Sequence, residues 1–194
     1  MFYPQMRPDH PYAAEIIDTL IDEEKRHQRN GVCIFNTEDV KNLQGTTRTK
    51  EFKDTYRKNV MGNINSLIFP LEETTDNEIE KHMNLVHADP SGQKVTIYGK
   101  KPDNDEICTD LEQHASSLCQ KIFRKNGCSI DSFETEWRNG LTSNGTQDCA
   151  VLAVEEIKLL ARKKEIEEKE YTQHETKNFR LKHILDIENI NKDE

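Results

Sequence analysis

Apolar residues recur three or four positions apart in several segments of the chain, a spacing that places them on one face of a helix. The pattern predicts four helices, at residues 12–29, 47–65, 105–125 and 149–164. A shorter apolar pattern predicts one more helix at 179–190, packed loosely on the rest. The helix at 149–164 opens with CAVLAV, which is almost wholly apolar, so we expect it to be buried.

Short apolar runs bounded by turn residues predict strands, and they occur at 32–35, 66–69, 82–89, 94–99 and 129–137. Pro70 is expected to end the second strand, because proline cannot donate to a sheet. The third and fourth strands should form a hairpin around the turn Pro-Ser-Gly-Gln at 90–93. Polar loops are expected at 71–81 and 138–148. This mixed order of helices and strands favours an α+β or three-layer domain over a doubly wound sheet.

Composition suggests a compact core with solvated extensions. Of the 194 residues, 34% are hydrophobic and 32% are charged, so part of the chain should remain in solvent. We expect an N-terminal helical segment at 1–65, a core at 66–164 and a charged helical tail at 165–194. The net charge of −9 argues against general nucleic-acid binding, which depends on a basic surface.

The cysteines favour a reducing compartment. There are five of them, and no two have CxxC spacing, so neither a zinc site nor a disulfide framework is expected. No apolar run approaches the roughly 18 residues that a membrane span needs. The N-terminus, MFYPQMRPDHPY, lacks the order of a Sec signal peptide. We therefore expect a cytoplasmic protein, or one that leaves its cell by another route.

Cys149 occupies the position most suggestive of chemistry. In NGTQDCAVLAVEEIKLL, polar turn residues give way abruptly to the buried helix, and Cys149 stands at the junction with Asp148 as the expected N-cap. Backbone N–H groups at a helix N-terminus favour a thiolate and can stabilise an oxyanion. Cys149 is therefore a candidate nucleophile, and a buried structural cysteine is the alternative.

A cysteine nucleophile usually needs a histidine within hydrogen-bond reach. Four of the seven histidines lie in charged or terminal segments, where we expect surface exposure: His10, His27, His174 and His183. His114 should serve packing or lie at the surface. His82 and His87 remain, on the first strand of the hairpin. Because they are five positions apart they face opposite sides of a strand, which also disfavours a metal site built from both and a cysteine.

The order IFPL, polar loop, HMNLVHAD, turn, KVTIYG, helix, strand and NGTQDCAVLAV resembles the clan CE cysteine proteases. These include the Ulp-type ubiquitin-like proteases, bacterial effector deubiquitinases and, more distantly, the YopJ-type acetyltransferases. The resemblance covers residues 67–160. It implies a papain-like or adenain-like α+β fold, in which helices flank a small mixed sheet and the nucleophile begins a buried helix.

The resemblance implies that Cys149 is the nucleophile and His82 the general base. The acid expected at the end of the following strand is replaced by Gly99. Asp103 is our choice for the residue that orients His82, and Asp105 or no acid at all are the alternatives. Met83 stands where these proteases usually have a tryptophan, so we expect it to line the substrate channel.

The oxyanion position departs from the pattern as well. The expected glutamine is replaced by Ser143, so we choose the neighbouring Asn144 as the amide donor, with Gln147 as the alternative. Ala150 replaces the glycine that usually follows the cysteine. These departures indicate a divergent bacterial or viral member of the group.

The function that the resemblance implies is a thiol isopeptidase that removes ubiquitin or a ubiquitin-like modifier from lysine. Its partner would be ubiquitin or a ubiquitin-like protein, whose basic face suits an acidic surface. No cofactor or metal is expected, and the protein should be a monomer in the cytoplasm, or a bacterial effector acting in a host cytosol. Two alternatives share the same layout: a YopJ-like acetyltransferase using the same Cys/His pair, and a degenerate module that only binds ubiquitin-like proteins.

Overall fold

A five-stranded mixed sheet forms the centre of the protein. The computed structural model describes residues 14–27, 31–45, 64–73, 82–144, 148–190 and 192. The sheet has the order β1-β2-β3-β4-β5, with strands β1 (Val32–Ile34), β2 (Ser66–Glu73), β3 (His82–Asp89), β4 (Lys94–Tyr98) and β5 (Glu134–Arg138). The three central strands are antiparallel, and each outer strand runs parallel to its neighbour. The predicted mixed sheet and hairpin are therefore confirmed.

The described residues form five helices: α1 (Ala14–Arg26), α2 (Thr37–Gln44), α3 (Asp105–Lys125), α4 (Cys149–Ala161) and α5 (Gln173–Ile190). The predictions for α1, α3 and α4 are confirmed to within a few residues. The helix predicted at 47–65 lies outside the described residues, except for 64 and 65, which are not helical.

The core has two clusters, one on each face of the sheet. Along β2, Leu67 and Phe69 belong to the cluster that contains α3, whereas Ile68 belongs to the cluster that contains α1 and α4. Successive side chains of a strand point to opposite faces, so an unbroken apolar run is what a strand covered on both sides needs. The first turns of α4 are buried, as expected from CAVLAV.

Strand β2 continues through Pro70 to Glu73, so the prediction that Pro70 ends it is wrong. The Ile68 carbonyl accepts a hydrogen bond from Phe35 N–H, at 2.9 Å, on the β1 side of the strand. Pro70, two residues on, faces the same side, where β1 has already ended. Its missing N–H therefore costs no ladder hydrogen bond.

Helix α2 and a second, two-stranded sheet occur where the sequence predicted none. Helix α2 has few apolar residues, but its N-cap Asn36 forms a capping box with Asp39. The second sheet pairs β6 (Leu141–Ser143), inside the predicted loop, with β7 (Lys169–Tyr171), inside the charged tail. Backbone hydrogen bonds, rather than an alternating apolar face, hold these two strands together. Hydrophobic periodicity in the sequence therefore does not predict them.

Helix α5 begins six residues before the helix predicted at 179–190 and packs against α4 and α1. Its buried side chains are mostly polar: Thr176, Arg180, His183 and Ile187. The surface position predicted for His183 is wrong, because this side chain is 0% exposed and its Nε2 lies 2.7 Å from Glu155 Oε1 on α4. A charged partner on α4 makes burial of the histidine possible.

Candidate active site

A cleft of about 640 Å³ opens where β3 begins, β4 ends and α4 starts. Four of the five residues predicted from the sequence line it: His82, Met83, Asp103 and Cys149. The fifth, Asn144, is exposed and does not line it, although its neighbour Ser143 does. Gln147, the alternative oxyanion donor, lies outside the described residues. The structure therefore brings the proposed nucleophile and base to one cleft.

Cys149 is half-buried and is the first residue of α4. Asp148 occupies the N-cap position, as predicted, but its side chain makes no capping hydrogen bond. The reason is its helical backbone conformation (φ −97°, ψ −7°), because a capping side chain needs an extended residue at this position. The carboxylate of Asp148 therefore does not occupy the N–H groups of the first turn, where an oxyanion would bind.

The Asp148 carboxylate instead ties the cysteine loop to α5. It accepts hydrogen bonds from Ser143 Oγ at 2.8 Å, Thr176 Oγ1 at 2.9 Å and Arg180 Nη2 at 2.8 Å. Burial acts to raise the pKa of Asp148, but these hydrogen bonds and the Arg180 charge outweigh it and lower the pKa below its usual value. The carboxylate thus stays ionised and fixes the residue before Cys149.

The two hairpin histidines have different surroundings. His82 is exposed at the first position of β3 and lines the cleft. His87 is half-buried, does not line the cleft, and has its Nε2 2.9 Å from Ser66 Oγ. Burial lowers the pKa of His87, with a smaller opposing effect of Asp89. His87 therefore has a local structural role, and His82 is the histidine in reach of the cleft.

Asp103 reaches the cleft, and Asp105 does not. Asp103 is exposed in the loop before α3, next to Asn104, whose side chain caps that helix by accepting from Glu106 N–H and Ile107 N–H. Met83 is half-buried and packs against the cluster that contains α4.

The position of the missing acid is filled by a neighbouring side chain. Leu85 pairs with Tyr98, which places Asn84 opposite Gly99 at the end of the hairpin. Gly99 has φ +149°, a conformation that favours glycine, and a Cβ built on it would overlap Asn84 Oδ1. Asn84 is only 3% exposed and lines the cleft. Sequence reasoning missed Asn84, although the hairpin register already places it across from Gly99.

A buried carboxyl group, also missed, lies two helical turns along α4 from the cysteine. Glu156 lines the cleft, and its Oε1 accepts a hydrogen bond from Leu141 N–H of β6 at 2.7 Å. Gly140 permits this approach, because a Cβ there would overlap Glu156 Oε1. Burial raises the pKa of Glu156 to about 8, with the Leu141 hydrogen bond opposing.

All five cysteines lie in the described part of the chain, and no disulfide joins any two of them. Within that part, no group of three or more His, Cys, Asp and Glu side chains is placed to hold a metal ion. None of the described helices combines the length and the apolar character that crossing a membrane requires.

No protein-family model matches the chain, and no curated protein matches it. Solved structures of cysteine proteases do match. The C-terminal Ulp1 protease domain, in complex with Smt3, the yeast ortholog of SUMO, superposes with a TM-score of 0.64 at 13% identity, over 90% of this chain and 75% of that chain. The SUMO protease Ulp1 with its catalytic cysteine oxidised to a sulfinic acid gives 0.60 at 13%, over 92% and 76%. The Xanthomonas campestris effector XopD bound to ubiquitin gives 0.54 at 11%, over 94% and 97%. The chain therefore has the fold of Ulp1-like cysteine proteases, as the resemblance implied.

Proposed function

We propose that the protein is a cysteine-type isopeptidase that removes ubiquitin or a ubiquitin-like modifier from lysine. The proposal is supported by the observation that His82 and Cys149 both line one cleft, in a protein with the fold of Ulp1-like proteases. In that cleft the cysteine begins a buried helix and the histidine begins a strand of the central sheet.

The reaction follows from these two groups. His82 takes the proton of the Cys149 thiol as Sγ attacks the carbonyl carbon of the bond to lysine. The tetrahedral intermediate collapses to a thioester, and His82 returns the proton to the leaving lysine amine. Water, deprotonated by His82, then hydrolyses the thioester and restores the thiol. The first-turn N–H groups of α4 would be the donors to the oxyanion, because Asn144, the donor expected from the sequence, does not line the cleft.

The substrate would enter as an extended tail. The cleft volume of about 640 Å³ suits a narrow peptide segment. Met83, on its wall, would contact the tail less rigidly than the tryptophan of Ulp-type enzymes. The net charge of −9 favours a partner with a basic face, such as ubiquitin. The protein would act as a monomer in the cytosol, its own or that of a host, and this reaction needs no cofactor.

Activity-based probes test the proposal. We expect ubiquitin or SUMO carrying a C-terminal electrophile to label Cys149, as read from the mass of the modified peptide. Cys149→Ala should abolish labelling and His82→Ala should slow it at least about a hundredfold. Cys128→Ala is the matched control, because Cys128 is exposed and does not line the cleft, so this variant should label normally.

Absence of labelling by both probes in folded protein would contradict an isopeptidase. Radiolabelled acetyl-coenzyme A then separates the two alternatives. Acetylation of Cys149 would support a YopJ-like acetyltransferase, and failure to acetylate, together with binding of ubiquitin or SUMO, would support a degenerate binding module.

A further inference from the structure

The group that orients His82 is the missing element of the proposed site. An imidazole acting as general base needs a hydrogen-bond acceptor on its second nitrogen, which holds the ring and its tautomer. At Gly99, where the resemblance expects the acid, there is no side chain, and the φ of +149° together with the approach of Asn84 excludes one. The acceptor therefore has to come from another position.

Asn84 stands in the space that a side chain at 99 would occupy. It is buried, lines the cleft, and its Oδ1 would overlap a Cβ at residue 99. Residues two apart on a strand project from the same face, so Asn84 shares a face of β3 with His82, at a separation of about 6.6 Å along the strand. An asparagine and a histidine side chain together span that distance.

The amide group of Asn84 is buried without a full set of hydrogen bonds. Its Nδ2 is buried and has no hydrogen-bond partner among the residues that the structure describes. A buried amide N–H without a hydrogen-bond partner destabilises the fold relative to one that has a partner. An apolar side chain of the same size would fill the space opposite Gly99 at lower cost, so space-filling alone does not account for an asparagine here.

We propose that Asn84 orients the His82 imidazole by accepting a hydrogen bond from its ring N–H at Oδ1, in place of the acid absent at Gly99. The resulting set is Cys149, His82 and Asn84, with a neutral amide holding the base. Asn84 is a positioning residue, and its catalytic consequence rests on the proposed function. Asp103, the choice from sequence, lies in the same cleft but is exposed, and solvent competes for its carboxylate.

A neutral orienting group has a measurable consequence. It fixes the ring without stabilising the imidazolium by charge, whereas a carboxylate in the same place does both. The other charged or titratable groups that line the cleft are Tyr98, Lys100, Lys101, Asp103, Asp148, Glu156 and Glu168. These stay the same in Asn84 variants, so a change in the pH profile on substitution reports the Asn84–His82 contact.

The experiment measures the reactivity of Cys149 in two ways. Alkylation by iodoacetamide reports the thiol and its histidine whatever the protein substrate is, and labelling by the ubiquitin and SUMO probes reports the isopeptidase. Both rates are followed against pH in the wild type and in Asn84→Ala, Asn84→Leu and Asn84→Asp. Melting temperatures are recorded for each variant, and Cys128, which is exposed, serves as the internal reference for alkylation.

Asn84→Ala and Asn84→Leu should each slow alkylation of Cys149 about tenfold or more, with Cys128 unaffected. Asn84→Leu should do so without loss of melting temperature, because it removes an unsatisfied amide. Asn84→Asp should retain most of the rate, and the limb of the profile set by the imidazole should move to higher pH by about one unit. The control is Asn36→Ala, a buried asparagine that caps α2, which should lower the melting temperature and leave Cys149 alkylation unchanged.

Wild-type alkylation rates in both Asn84→Ala and Asn84→Leu would overturn the inference. It is equally overturned if Asp103→Asn, and no Asn84 variant, reproduces the loss. If alkylation responds as expected but neither probe labels the wild type, Asn84 orients His82 and the proposed function fails. If the probes label every variant at the wild-type rate, the proposed function stands and the inference fails.

Discussion

Glu155 and Glu156 are neighbours on α4 with opposite electrostatic surroundings. At Glu155, burial acts to raise the pKa, but the hydrogen bond from His183 and the charge of Lys158, 3.1 Å away, outweigh it and lower the pKa to about 2. At Glu156, burial dominates and raises the pKa to about 8. Glu155 is therefore ionised at neutral pH, and Glu156 is mostly protonated.

The raised pKa of Glu156 predicts that Glu156→Gln stabilises the fold at pH 7–8. The folded state holds a proton that the unfolded state releases above the ordinary glutamate pKa of 4.5. The wild type therefore loses stability as the pH rises from about 4.5 to about 8, on the order of 3 kcal/mol by pH 7. Glutamine keeps the acceptor for Leu141 N–H and does not ionise. Melting curves between pH 5 and pH 8 should diverge in favour of the variant, and coincident curves would contradict a buried neutral carboxyl group.

Glu155→Gln should have the opposite effect and is the matched counterpart on the same helix. A lowered pKa contributes stability that is present above pH 4.5 and is lost as the pH falls towards about 2. With allowance for partial exposure, the variant should lose about 2 kcal/mol at pH 7. The difference from the wild type should shrink between pH 4.5 and pH 2 in denaturant titrations. A constant difference across that range would show that packing, rather than charge, is responsible.

At the scale of single residues, the sequence pointed to the candidate site residues that are marked by their neighbours along the chain. Cys149 stands where a polar turn meets an apolar helix, and His82 opens an apolar strand, so neighbours along the chain mark both. Asn84 and Glu156 depend on glycines distant in sequence, Gly99 and Gly140, that leave room for them. These residue–glycine pairs can be identified only from the register of the hairpin and from the packing of β6 on α4.

At the scale of elements, α5 holds the segment that precedes Cys149, the proposed nucleophile. Arg180, whose side chain is 4% exposed, pairs with Asp148, the residue before Cys149, at 2.8 Å. Thr176 of the same helix donates to the same carboxylate. Any change that weakens the packing of α5 should therefore also disturb the first turn of α4.

Arg180→Met tests this coupling. Removing the arginine leaves a buried carboxylate, and we expect a loss of about 3 kcal/mol in unfolding free energy. Below the melting transition, alkylation of Cys149 should also slow, because the Asp148 side chain no longer fixes the preceding residue. Lys177→Met, an exposed position on α5, is the control and should melt like the wild type. Equal melting of the two variants would show that the Arg180–Asp148 pair does not stabilise the fold.

The sequence was sufficient to predict helices that have one apolar face and strands that form an apolar run. Helices α3 and α4 and the β3–β4 hairpin fall in this class. Helix α5 buries Thr176, Arg180 and His183, whose partners are side chains on other elements, so its hydrophobic pattern starts late. Strands β6 and β7 pair through their backbones in polar sequence, which carries no periodic signal.

At the scale of the whole molecule, the fold depends on segments beyond the 67–160 resemblance. Strand β1 extends the central sheet, and Ile16 and Ile17 of α1 share a core cluster with Ala150 of α4. The order of motifs was enough to predict the fold, since that order follows the central strands and the cysteine helix. The division of the chain at residues 65 and 164 remains a prediction.

Net charge is a property of the whole molecule, and it predicts how salt affects the encounter with the proposed modifier. With a charge of −9, the protein should attract the basic face of ubiquitin over a distance set by the Debye length. That length falls from about 30 Å to about 8 Å between 0.01 M and 0.15 M salt. The second-order rate of labelling by the ubiquitin probe should fall about tenfold over this range, because steering is lost. Iodoacetamide is neutral, so its reaction with Cys149 should hardly change, and this control separates encounter from cysteine reactivity. A probe rate that is insensitive to salt would mean that docking depends on apolar contacts around the cleft rather than on the acidic surface.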